Sequence, residues 1–523
     1  MARLKKADLE QMDETYFRSL EPDRLVEVTK NLYELAVEQL EALEQNSQNS
    51  SRPPSSDSPY QSSPGNRAEV LEELLPTEEK SLVEKSFPEK LSTEELEKVE
   101  EATRPAKGFG KRKAGKQPGA KGQWRNQPLK STKTIDHEVL TCVACNASLD
   151  LSNRDNKPYL GYHQFELKPE EQGFKIVCQL HHYYGATCLC GHQSQAIPGK
   201  GERSEIAGRK VQLQLKEYTL VGPMLATFMA SLSVRYRLSR VKIQEFLQDW
   251  AGFALSVGSI DNAIRGAGLA CSPVVEELIE QLQLADNLHL DETSWYESGR
   301  LCWLWIAINS TCAVFFIGAR TKEQLLQIIG TAFVGWLISD GYGAYRWYEK
   351  RQRCLAHLIR KALAVTQAVD AEAKQIGQWL LEEMRELIHD IATAGSDNPE
   401  DPGTIRLKAV TQLAQTSEHK KLKALANEIL NDWDAVVAFV TNPELPVTNN
   451  EAERALRHAV IARRIGFGTR TKEGSNAYTA LLSVIETCRL RGVNPWTYIA
   501  QVISLRRQGL DAPLIPLPIS LAN

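Results

Sequence analysis

Asn287-Leu288-His289-Leu290-Asp291-Glu292-Thr293-Ser294-Trp295 alternates apolar and polar residues and sets a carboxylate in the middle of a β-rich run. Alternation at period two predicts a half-buried strand. Gly299 marks a turn, and Leu301–Asn309 and Cys312–Gly318 predict two more strands joined through Ser310-Thr311. Thr321–Ile329 has helical spacing, and Phe333–Ser339 reads as a buried strand ending at Asp340-Gly341. The order β-β-β-α-β opens a ribonuclease-H-like fold. The right-handed crossover rule places the Asp340 strand beside the Asp291 strand, with the two carboxylates facing each other at one end of the sheet. An aspartate inside an apolar strand is costly unless something compensates its charge, and a divalent cation is the obvious partner.

A third acid is expected on a late helix. Pro446 stops what precedes, and Thr448-Asn449-Asn450-Glu451 reads as a capping box opening a helix. That gives Glu451 a structural task and leaves Glu453 as the metal ligand, with Glu451 as the fallback. Arg454, Arg457, Arg463, Arg464, Arg470 and Lys472 follow closely and are expected to hold phosphates. Cys354 and His357 read as a scaffold pair at a helix start.

Upstream, Cys142-Val143-Ala144-Cys145 and Cys188-Leu189-Cys190 form two close thiol pairs, the arrangement a tetrahedral Zn²⁺ requires. His181, His182 and His192 are alternative ligands. The other cysteines, Cys178, Cys271, Cys302, Cys312, Cys354 and Cys488, sit in apolar contexts and read as core. The net charge of −4 hides a division. Arg67–Ala102 holds 12 Glu against 5 Lys or Arg, whereas Arg104–Lys133 holds 10 Lys or Arg and no acid. Within that basic block lie Lys111, Arg112, Lys113, Lys116 and Lys121 among glycines and prolines, an arm suited to phosphates. Leu25, Val28, Leu32 and Leu35 mark an amphipathic helix, open between a coiled coil and a packed helix. Gln45–Gly65 has linker composition. Ser239–Trp250, a break at Gly252 and a second helix from Ser256 to Ile264 outline a helix-turn-helix, an outline that a generic helical hairpin shares. With 523 residues, 42% hydrophobic and 24% charged, the chain fits several globular domains. No run reaches the ~18 apolar residues of a membrane span, and no signal-peptide core follows Met1, so a cytoplasmic, nucleoid-associated protein is expected.

The segments Asp291-Glu292-Thr293, Ser339-Asp340-Gly341-Tyr342, Cys354 to His357, Asn449 to Arg457, Gly466 to Lys472 and Ile485 to Tyr498 resemble the DDE transposases of the insertion-sequence-66 family. So do the run from Gly115 to Gly122 and the cysteine cluster, which that family carries as a zinc-binding domain. The resemblance implies Asp291, Asp340 and Glu453 as the catalytic triad and an all-α insertion before the glutamate. Two departures, Thr448 for a family Asp and Arg464-Ile465 for Lys-Asn, spare the triad.

The expected architecture is multidomain α+β. It comprises an N-terminal helix (1–45), a linker (46–66), an acidic helix and basic arm (67–133) and a zinc-binding domain (134–200). A helical segment (201–280), the first part of a ribonuclease-H-like core (281–350), an all-α insertion (351–445) and the completion of the core (446–523) follow. The expected function is cleavage and transfer of DNA strands at element ends. Two Mg²⁺ or Mn²⁺ ions about 3.5–4 Å apart would serve an in-line displacement at phosphorus, with Zn²⁺ structural. Terminal inverted repeats, target DNA, further copies of the chain and small accessory proteins are the expected partners. A catalytically silent DNA-binding regulator and a nuclease without transfer are the alternatives.

Overall fold

The computed structural model describes parts of 20–36, then 129–203, 213–394, residue 398 and 401–518. Most of the N-terminal helix, the linker, the acidic segment and the basic arm with Lys111, Arg112, Lys113, Lys116 and Lys121 lie outside the described residues.

Strands β1 (Lys133–His137), β2 (Leu160–Pro169) and β3 (Phe174–Tyr183) form a sheet in the order β1-β3-β2. The β2–β3 hairpin is antiparallel, and β1 joins β3 in parallel. Two short pairs follow, β4 (Gly185–Thr187) with β5 (Gln193–Gln195) and β6 (Lys200–Arg203) with β7 (Gln214–Lys216). Helix α1 (Pro223–Val234) starts with proline at its first turn, where the missing N–H costs nothing. Helix α2 (Arg240–Ala251) is capped by Ser239 and ends at Gly252, whose φ of 58° is the left-handed conformation glycine favours.

Helix α3 is capped by Ser256 as expected, but it runs Val257–Gln283, well past Ile264 and through Pro273. The small residues that resemble breakers are there for packing. A Cβ on Gly268 would lie 2.4 Å from the Ala477 backbone of a later helix, so the two helices cross in near contact. The second helix of the outlined helix-turn-helix is therefore largely a core helix, with Ile260, Ile264, Leu278 and Leu282 buried.

The central sheet contains β8 (Asn287–Glu297), β9 (Arg300–Ile308), β10 (Ala313–Gly318), helix α4 (Lys322–Ile329), β11 (Trp336–Ser339) and β12 (Arg351–Arg353). Its strand order is β10-β9-β8-β11-β12. The first three are antiparallel neighbours, whereas β11 runs parallel to both β8 and β12. Strand β11 thus lies beside β8, as the crossover rule requires.

Strand β12, Arg-Gln-Arg, carries no strand signal in sequence, yet all three residues are buried. Between it and the last helices stand α5 (Leu355–Val365), α6 (Ala371–Ala394), α7 (Pro402–Thr416), α8 (Lys420–Leu430), α9 (Trp433–Val436) and α10 (Ala438–Thr441). They share a core that includes Leu358, Leu380, Met384, Leu422 and Ile429. The chain closes with α11 (Asn450–Gly466) against β8, α12 (Lys472–Leu490) against β10 and α3, and α13 (Pro495–Gln508) against α1. The protein is mixed α/β with several sheets, and among the described residues no helix is long and apolar enough to cross a membrane.

Arg351 and Arg353 can be buried because acids of the helical segment meet them. Asp432 accepts from Arg351 at 3.2 and 2.5 Å and from Arg353 at 3.0 Å, while Glu428 accepts from Arg353 at 2.8 Å and from Lys361 at 2.6 Å. Burial alone would raise the Asp432 carboxyl, but the two guanidiniums outweigh it and hold it below the ordinary range. Removing one member leaves buried charge without a partner. Asp432→Ala is expected to cost about 3–5 kcal/mol in urea unfolding. A loss under 1 kcal/mol would mean that water reaches the arginines.

Candidate active site

Parallel pairing sets Leu337 against Leu288 and Ile338 against His289. Continuing that register by two residues puts Asp340, just past the end of β11, level with Asp291, which lies midway along β8. The Asp291 Oδ1 accepts the Glu292 N–H at 2.9 Å, and the Asp340 Oδ1 accepts the Tyr342 N–H at 2.8 Å. Gly341 is needed between them, because a Cβ there would strike the Arg353 guanidinium at 2.4 Å. Burial first, then the charges of Glu292 and Asp340, and more weakly Glu453, push the Asp291 carboxyl well above its ordinary range.

Helix α11 delivers the third acid, held in place by a residue to which the sequence reading gave no role. Asn449 is fully buried. Its Nδ2 donates to the Leu290 carbonyl at 2.7 Å, its Oδ1 faces His289 Nδ1 at 3.1 Å, and its N–H donates to Cys354 Sγ at 3.1 Å. With Nδ2 committed to a carbonyl, Oδ1 must accept, which assigns the proton of His289 to Nδ1. The expected capping box is absent: the N-cap is Asn449, and its side chain reaches across to β8 instead of back to its own helix. Glu451 consequently stands exposed, 3.9 Å from His289 Nε2. Asn449 advertises itself only as the first of two asparagines at a helix start, a signal too common to single it out.

Glu453 is half-buried, and its Oε1 lies 3.5 Å from Arg360 and 3.7 Å from His357. Burial raises its carboxyl; Arg360 and Arg457 oppose this, and Asp340 adds to it. Burial, then Arg360, Lys361 and Arg353, drop the His357 pKa to about 3, so the ring is neutral and its Nδ1 is buried without a partner. Among the described residues, two groups bring metal-ligating atoms within 4.8 Å of one another: Cys354 with His357 and Glu453, and the four cysteines Cys142, Cys145, Cys188 and Cys190. The three acids Asp291, Asp340 and Glu453 act on one another electrostatically without closing to that distance.

A fourth acid, Glu292, is almost wholly enclosed. Arg320 donates to it at 2.6 and 3.0 Å and the Tyr345 hydroxyl at 2.5 Å. The Arg320 guanidinium lies over the Trp303 ring at 4.0 Å and the Tyr342 ring at 3.6 Å. This stack fixes the loop that carries Asp340, since the Tyr342 hydroxyl also donates to the Arg320 carbonyl at 2.9 Å.

Around the acids, Arg454, Arg457, Arg464, Arg470 and Lys472 are exposed, whereas Arg463 turns inward to Thr293 and Ser294 of β8 at 2.8 and 2.5 Å. The four cysteines gather on two turns, with Cys142 Sγ 3.7 Å from Cys190 Sγ and Cys145 Sγ 3.5 Å from Cys188 Sγ. Tetrahedral Zn–S bonds of about 2.3 Å place sulfurs about 3.8 Å apart, close to those separations. The Cys145 N–H faces the Cys142 sulfur and is the main cause of its pKa falling to about 6. His181 pairs instead with His137, and His182 faces Asp136.

Residues 219–477, about half of the chain, match the family model described as the transposase IS66 family. The chain belongs to the IS66 transposase family. Residues 10–76 also match a family of unknown function, DUF6444. Three proteins of Sinorhizobium fredii (strain NBRC 101917 / NGR234) are similar to this IS66-family chain, and all three bear the description "uncharacterized protein". The protein y4jD is 24% identical over 298 residues, 49% of this chain and 57% of y4jD. The protein y4qI is 26% identical over 284 residues, 47% and 52% of the two chains, and y4hP is 33% identical over 76 residues, 14% of each. The chain spans about half the length of the longer-matching curated relatives.

Crowded carboxylates oppose folding. A carboxyl raised in the folded state binds its proton more readily there than in the unfolded chain, so its contribution to stability grows as pH falls. Asp291→Asn removes the crowded charge and keeps the shape. In EDTA at pH 8 it is expected to raise Tm by roughly 2–4 °C, the effect of about 1 kcal/mol in a domain of 150–250 residues. The gap should close on acidification. An unchanged or lower Tm would place Asp291 outside any repulsive cluster.

Proposed function

We propose that this chain is a DDE-type DNA transposase of a bacterial insertion sequence, cutting and joining DNA strands at element ends. The observation that carries the reading is the parallel register that sets Asp340, just past β11, level with Asp291 of β8, with Glu453 on a helix tied to β8 near enough for its charge to act on Asp291. The strand order β10-β9-β8-β11-β12 supports a ribonuclease-H-like core, and α5–α10 would be its all-α insertion.

The acids fit hard divalent cations: their donors are all carboxylate oxygens, and burial and mutual repulsion push two of them, Asp291 and Glu453, upward. Asp291, Asp340 and Glu453 would hold two Mg²⁺ or Mn²⁺ ions, which when bound activate a water or 3′-hydroxyl and stabilise the leaving oxygen. Asn449 fixes the backbone from which Glu453 projects. Arg360 holds the Glu453 carboxylate beside the neutral His357 ring, and Glu292 with Arg320 steadies the Asp340 loop. Arg454, Arg457, Arg464 and Lys472 would meet DNA phosphates, joined by the basic arm at Lys111, Arg112, Lys113, Lys116 and Lys121. Arg463, bound to β8, would position that strand. Terminal inverted repeats and target DNA would be the substrates. Cutting two ends calls for more than one copy of the chain, and small accessory proteins of the same element are further partners. These tasks belong to the cytoplasm, at the nucleoid.

Cys142, Cys145, Cys188 and Cys190 would hold a structural Zn²⁺. The purified chain is expected to contain one zinc, measured by plasma emission, and Cys145→Ser to lose it together with tight binding of end DNA. Full binding by a zinc-free preparation would remove the site.

The function is tested with labelled DNA from the flanks of this gene, incubated with Mg²⁺ or Mn²⁺ and the wild type or Asp340→Ala. Joined products with the wild type, reduced at least a thousandfold in the variant, are expected. Cleavage without joining would indicate a nuclease. Binding without cleavage would indicate a silent regulator.

A further inference from the structure

A cavity of about 240 Å³ lies beneath α13, lined by residues that supply none of the acids described above. Its floor is one face of the first sheet. His137 comes from β1, Tyr162, Gln164 and Glu166 from β2, and His181 and Tyr183 from β3; Ser504 and Arg507 of α13 cover it, with Glu217 at the side. Sheet faces turned toward a helix are normally aliphatic. This one is aromatic and polar.

The rings lie nearly parallel. Tyr162 and His181 have centroids 4.9 Å apart at 7°, and His137 and Tyr183 4.1 Å apart at 9°. One buried polar atom lacks the partner that burial normally demands, and one buried guanidinium has a carbonyl but no ion-pair partner among the described residues. His181 is 9% exposed; its Nδ1 faces His137 Nε2 at 2.9 Å, and its Nε2 is buried with no partner. Arg507 is 5% exposed, and its Nη1 donates to the Val221 carbonyl at 2.7 Å. Among the described residues no carboxylate comes within ion-pairing distance of it, although Glu166 is near enough for its charge to act on it. The Glu166 carboxylate takes the Leu167 and Leu225 N–H groups, and Glu217 takes that of Gly199.

These features limit the occupant. Two carboxylates beside one guanidinium disfavour a phosphate, and the guanidinium disfavours a cation. The volume lies below the ~300–1,000 Å³ of drug-sized pockets, so the ligand is a single ring system. Stacked rings favour a flat ligand, and donors next to acceptors favour an edge that offers both. We propose that this cavity receives one nucleobase turned out of its stack, held between the sheet rings and α13, with its polar edge on Arg507 and His181. The proposal deepens the reading of the chain as a protein that binds DNA ends, and assigns to the first sheet a base-reading task beyond its attachment to the cysteine cluster.

The test uses equilibrium dialysis of the full chain against millimolar guanosine, adenosine, cytidine and thymidine, with no DNA present. The wild type is expected to bind at least one of them. Ser504→Trp, which fills the cavity from the helix without removing a contact that holds the fold, should weaken binding tenfold or more, and Ser504→Leu should weaken it less. Circular dichroism checks that both variants fold. No binding of any nucleoside by the wild type overturns the proposal, as does equal binding by folded Ser504→Trp. A mobility-shift assay with end DNA separates the two readings. Nucleoside binding without end binding keeps the pocket and removes the end-binding function, and end binding without nucleoside binding removes the pocket alone.

Discussion

Asp291 stands level with Asp340 on the neighbouring parallel strand, and the charge of each acid, together with that of Glu292, bears on a carboxyl already deprived of water. Such a cluster persists only if the backbone that carries it cannot relax. Three sets of contacts prevent relaxation, and each joins residues far apart in sequence. Asn449 ties α11 to Leu290 and His289. Arg320 ties Glu292 to the aromatic pair Trp303 and Tyr342. Arg351 and Arg353 tie β12 to Asp432 and Glu428 in the helical segment. The helical segment therefore does more than separate the second acid from the third. Its acids allow an arginine-bearing strand to be buried beside β11, and that strand supports the turn at Gly341.

The strands β8 to β11 and the helix between them were legible because apolar alternation and a Gly or Ser-Thr break mark each boundary. The positions of Asp291 and Asp340 followed from chain connectivity alone. Strand β12 was invisible, since Arg351-Gln352-Arg353 is polar throughout and its burial depends on partners about 80 residues away. The capping box misled for a related reason. Thr448 and Glu451 have the right spacing, but the Asn449 side chain gains more from two buried partners on β8 than a cap of its own helix would give. The end of α3 was placed too early because glycine and proline weaken helices locally, whereas Gly268 is there to let another helix approach.

A similar distinction separates the cations. The sequence groups Arg454, Arg457, Arg463, Arg464, Arg470 and Lys472 as one basic cluster after the third acid, and by charge alone they are equivalent. Burial divides them. Arg463 donates into β8 and cannot leave without exposing Thr293 and Ser294, so its charge is part of the frame. Arg457 points its field at Glu453, and Arg360 lies closer still. The glutamate thus already has protein cations beside it, while burial and Glu292, Asp340 and Glu453 all push Asp291 upward against the Glu292 N–H. If the proposed site holds a divalent ion, the aspartates would gain most from it, and Glu453 would have to give up Arg360 to join them. Because Asn449 fixes the start of α11, any such exchange would fall to the Glu453 side chain rather than to a movement of the helix.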